Sequence, residues 1–85
     1  MTQREETEED QAKRVAKREA FLRLAEKRTN GVLEKIRVLS NCANPNAYYY
    51  TEEDIRKIFS AIEEEIRLAK ALFQANRKRE FKFRE

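Results

Sequence analysis

Tyr48-Tyr49-Tyr50, the tail Arg77-Lys78-Arg79-Glu80-Phe81-Lys82-Phe83-Arg84 and the cluster Lys13, Arg14, Lys17 and Arg18 are the residues here whose types and spacing could do chemistry, and that chemistry is binding. Three successive tyrosines beside Asn41, Asn44 and Asn46 combine rigid amphipathic rings with amides, a mixture that recognition surfaces favour. The same rings could stack on a nucleobase. The tail interleaves cations with aromatics, one form of a nucleic-acid contact, and its charge equally suits the negative end of a helix dipole. The cluster on the first helix would meet phosphate or an acidic protein surface, although such runs often form a solvated helix face. Arg14, Lys17, Arg18, Arg77, Lys78 and Arg79 are therefore the candidate anion or nucleic-acid contacts.

The missing residue types narrow the choice further. The chain has no His, which removes the usual general base and the usual nitrogen ligand. Its single Cys42 cannot close a disulfide within the chain. Glu63-Glu64-Glu65 lacks the Glu-x-x-His partner of a di-iron bundle site. No catalytic residue, metal site or cofactor is expected. The opening Met1-Thr2-Gln3-Arg4 lacks the basic-then-apolar order of a secretory signal, and no apolar run approaches the ~18 residues that span a membrane. These features point to a non-enzymatic protein of the cytoplasm that does not use the membrane.

Eighty-five residues with 40% apolar and 41% charged content, one Gly and one Pro suit a single domain of long helices with solvated outer faces. Charge is uneven along the chain. Residues 1–10 carry a net −4, residues 11–40 a net +6, residues 41–75 a net −2 and residues 76–85 a net +3. In the first half, Leu22, Ala25, Thr29, Val32, Ile36 and Leu39 alternate steps of three and four, with Val15 one heptad before Leu22. In the second half Ile55, Phe59, Ile62, Ile66, Ala69, Phe73, Asn76, Glu80 and Phe83 do the same. This is the a/d spacing of a heptad, which keeps one stripe toward a neighbouring helix.

The boundaries are readable from local chemistry. Thr51 with Asp54 forms a capping-box-like pair, Tyr50 and Ile55 hold the two positions of a hydrophobic staple, and Glu52, Glu53 and Asp54 suit the positive end of the dipole. Pro45 disfavours a helical Asn44. The spacing thus predicts a first helix over about 7–40 with Thr7 as a plausible cap, a loop over 41–50 and a second helix over about 51–81. Asn30-Gly31 reads locally as a stop, yet the stripe keeps its phase through it. A continuous helix is favoured, with Gly31 admitting a close neighbour.

Two helices of about 30 residues joined by one loop predict an all-α antiparallel two-helix hairpin, coiled-coil-like, in which residue numbers across the pair sum to about 91. Ile36 then lies near Ile55, Thr29 near Ile62 and Leu22 near Ala69. Phe21, Leu24, Val38, Ile58, Leu68 and Leu72 fall outside these narrow seams. One neighbour cannot cover stripes so wide, so a homo-oligomer is expected, a dimer completing a four-helix bundle. With Tyr48, Tyr49 and Phe81 they make the candidate protein-interaction set.

The stretches Ala25-Glu26-Lys27-Arg28-Thr29-Asn30-Gly31-Val32-Leu33, Tyr50-Thr51-Glu52-Glu53-Asp54-Ile55 and Lys57-Ile58-Phe59 resemble small helical-hairpin proteins of Gram-positive bacteria and their phages and mobile elements. The resemblance covers residues 20–75 and transfers no site. It implies a cytosolic accessory protein that binds and inhibits a host protein. The alternative from the residues themselves is a nucleotide- or nucleic-acid-binding protein that uses the basic face of the first helix and the tyrosine loop.

Overall fold

The computed structural model describes residues 7–78. Among them are two α-helices, α1 over Glu8–Ser40 and α2 over Glu52–Lys78, and no strand. The chain divides into two compact units at the Asn44–Pro45 bond.

Unit one is α1 and the short turn that ends it. Thr7 is extended, and its hydroxyl accepts from the Asp10 backbone N–H at 3.0 Å. Its carbonyl accepts from the Gln11 N–H at 3.0 Å, so the cap closes the first turn from both of its oxygens. Glu8, Glu9 and Asp10 then sit where the dipole favours negative charge. The helix runs unbroken through Asn30-Gly31, and Gly31 has no positive φ. A Cβ built on Gly31 meets nothing within 4 Å among the described residues. Its heptad position explains this. With Thr29 at a and Val32 at d, Gly31 falls at c, on the outer side of the stripe.

The end of α1 differs from a plain loop over 41–50. Asn41–Ala43 continues as one turn of 3₁₀ helix, and the Asn41 N–H reaches the Val38 carbonyl in the tighter pattern. Ser40 turns its hydroxyl back onto the Ile36 carbonyl at 3.0 Å. Asn44 then goes extended (φ −73, ψ 107), as a residue before proline must to clear the ring.

Unit two begins at Pro45 and is dominated by α2. Thr51 and Asp54 form the capping box reciprocally. The Asp54 N–H donates to the Thr51 hydroxyl at 3.1 Å, and the Thr51 N–H donates to the Asp54 carboxylate at 3.0 Å. The Thr51 N–H lowers the Asp54 pKa most, then the Thr51 hydroxyl, with a smaller contribution from Lys57. Because this carboxyl titrates below its unfolded value, its stabilising effect is complete above the unfolded value near pH 4 and fades as the pH falls through the lower, folded one. Thr51→Ala is expected to cost about 1 kcal/mol of α2 stability. Asp54→Ala, which removes the titrating carboxyl, should flatten the acid limb of helicity below about pH 4, measured by circular dichroism from pH 2 to 6. An unchanged acid limb in the variant would show that the box is not formed in solution.

The two helices differ in how they distribute apolar residues. On α2 these gather on one broad face, with Arg56, Lys57, Glu63, Glu64 and Arg67 behind them. On α1 they spread much further round the axis. Leu22, Ala25, Val32, Ile36 and Leu39 keep the stripe in its C-terminal half, but Arg18 holds a d position toward the N-terminus and Arg14 flanks it at g. The first helix is thus less amphipathic than its heptad steps suggest. Among the described residues none is buried.

Candidate interaction faces

The apolar face of α2 is built from Ile55, Ile58, Phe59, Ile62, Ile66, Leu68, Leu72 and Phe73. Only Ile62 is half-buried, while Leu72 and Phe73 are 68% and 62% exposed. Ile55, Phe59, Ile62, Ile66 and Phe73 form the a/d seam, and Ile58, Leu68 and Leu72 extend it to one side at g and c. The polar side is stapled by local ion pairs. Arg67 grips Glu64 through two nearly parallel bonds, Nε to Oε1 at 3.0 Å and an amino nitrogen to Oε2 at 2.7 Å. That fork lowers the Glu64 pKa and raises that of Arg67. Arg56 pairs with Glu53 one turn back. The hollow between Ile66 and Ala71, rimmed by Glu63, Arg67 and Lys70, is an open helix flank and not an enclosed cavity.

On α1, Phe21 and Val38 are about half exposed and Leu24 is half-buried. Arg18 lies over the Phe21 ring, its guanidinium carbon 5.8 Å from the centroid, a cation–π contact that the i,i+3 spacing makes available. Arg14 and Lys17 are exposed on the same helix. Arg37 and Glu34 pair at 3.1 Å near its C-terminal end.

The tyrosine run is not uniform. Tyr49 is 91% exposed, Tyr48 is 56% exposed and Tyr50, at the staple position before the cap, is 38% exposed. Tyr49 is thus the ring most available to a partner. Cys42 is a free, exposed thiol just before this loop.

Each unit carries its own candidate residues. Ile58, Leu68 and Leu72 share one flank of α2, and Phe21, Leu24 and Val38 share one flank of α1. Tyr48 and Tyr49 stand apart in the loop, and Arg77 lies at the C-terminal end of α2. Arg79, Phe81 and the side chain of Lys78 lie outside the described residues. The reading from sequence passed over Ile66 and Phe73, which it assigned to a covered seam, although both are exposed. It also passed over Arg28 and Lys35, whose shared heptad position was the signal that could have found them. No group of His, Cys, Asp and Glu suited to a metal ion occurs among the described residues. No helix among them is long and apolar enough to cross a membrane. The chain matches no family model, no curated protein and no solved structure, so its function is argued from these faces alone.

Proposed function

We propose that this chain is a non-enzymatic protein-interaction module of the cytoplasm that works by helix-on-helix association, with a second copy of itself as its first partner. One observation carries the reading. A helix of 27 residues presents eight large apolar side chains on one face, and none of them is buried. Covering a Val, Leu, Ile or Phe side chain is worth roughly 1.5–3 kcal/mol. Covering eight is worth on the order of 10 kcal/mol, even after the discount for a denatured chain that already buries some of its surface. An isolated helix of this length and composition is marginal in water, so packing is what stabilises it.

The heptads suggest how the covering runs. The a and d positions of each helix form the stripe that the antiparallel hairpin expected from the sequence would use. The c and g positions of α2, Ile58, Ala61, Leu68, Leu72 and Ala75, remain for a second hairpin, which completes a four-helix bundle. Tyr48 and Tyr49 then lie where a further protein can dock. Binding and inhibiting that protein is the accessory role we assign.

Light scattering over a hundredfold concentration range tests the first step. The expected mass is close to twice the 10.2 kDa of one chain. A mass of one chain at every concentration would remove the dimer.

A further inference from the structure

Because α1 is continuous through Gly31, residues on either side of it keep a common phase, and this sorts the charges of the helix. From residue 14 to residue 38 its g and c positions read Arg14, Lys17, Phe21, Leu24, Arg28, Gly31, Lys35 and Val38. Four are cations and none is an acid. The acids of the same stretch, Glu19, Glu26 and Glu34, sit at e, e and f; only f borders that flank, and Glu34 there is paired with Arg37. All four cations are exposed.

We infer that the c/g flank of α1 binds the phosphate backbone of double-stranded nucleic acid without regard to sequence. From Arg14 to Lys35 the cations extend over about 32 Å of helix axis, more than a nucleotide or any other compact anion can bridge. They match the length of about one turn of a duplex, ~34 Å. A straight row of separated cations answers an evenly charged, rigid rod. Single strands are held mainly by stacking, and α1 offers one aromatic ring, Phe21, over which Arg18 already lies. An anionic membrane surface calls for a strongly amphipathic helix, which α1 is not. The same cations repel a second copy of this flank, which is why self-association is assigned to α2.

Anisotropy of a labelled 25-base-pair duplex of arbitrary sequence, titrated with the full chain from 50 to 200 mM salt, tests this. The expected result is micromolar binding at 50 mM salt that weakens with a log–log slope near −4, from about 0.9 per phosphate contacted. A K17E/R28E/K35E chain should bind at least tenfold more weakly, with the slope reduced by about 3. An R23E/K27E/R37E chain alters net charge equally on the other positions of the same helix and should lose much less. Circular dichroism confirms that both variants remain helical. The inference is overturned if no duplex binds at 50 mM salt, if the two triple variants weaken binding equally, or if a single strand of the same length binds more tightly than the duplex. These outcomes are independent of the dimer, which is read by mass in the absence of nucleic acid.

Discussion

An Ile62→Asp chain should lose its self-association and much of its helicity in a single step. Ile62 sits at the centre of the α2 face, at a d position between Phe59 and Ile66, and is the one large side chain of that face that is half-buried. A carboxylate there removes the transfer free energy of an Ile, about 1.5–3 kcal/mol, and sets a charge where the proposed packing would strip it of water. The cost is then at least ~3 kcal/mol per chain. A two-chain assembly suffers it twice, and about 6 kcal/mol is more than ten-thousandfold in the dimer dissociation constant. At micromolar protein the mass should fall to that of one chain. The 222 nm ellipticity should fall with it, because the helix is stabilised mainly by what it packs against.

The control separates packing from propensity. Ser60 lies two residues away on the polar side of α2 and is exposed. Ser60→Glu places the same charge on the same helix without entering the apolar face, and should leave mass and ellipticity unchanged. If Ile62→Asp also leaves both unchanged, the α2 face is not covered by anything in solution. The proposed association then has no basis.

The parts of this structure that were legible in the sequence are those written in a few adjacent residues. Thr7 and Thr51 could be read as caps because a hydroxyl three residues before a free N–H satisfies it whatever the rest of the chain does. The stop before Pro45 follows from a steric clash with the preceding residue. The 3₁₀ turn at Asn41–Ala43 was missed because asparagines signal a turn without specifying how tightly the last carbonyls are taken up. The fading of the stripe toward the N-terminal end of α1 was legible too, because Arg14 beside the heptad stripe and Arg18 within it break its apolar run. A seam also names the face that seeks a neighbour and says little about which neighbour answers. That is why the apolar faces were legible and their occupant was not.

Position 31 offers a test in which two substitutions move stability in opposite directions. Gly31 is helical, its φ is negative and the space where a Cβ would go is open. Gly31→Ala should therefore stabilise the chain by about 0.5–1 kcal/mol, since alanine loses less backbone freedom on entering a helix and meets nothing there. Gly31→Pro removes the N–H that bonds one turn back and drives the ring against that turn, a cost of ~3 kcal/mol or more. It also turns residues 8–30 relative to 32–40, so Lys17 no longer lies in line with Arg28 and Lys35. The proline chain should consequently melt lower and bind duplex with a shallower salt slope, while the alanine chain melts higher and keeps the slope. Thermal melts followed by circular dichroism, beside the same anisotropy titration, read both. Were proline tolerated at no cost, α1 would be two helices meeting near residue 31 in solution. The common phase of its cations, and with it the reason to expect a duplex on that flank, would be gone.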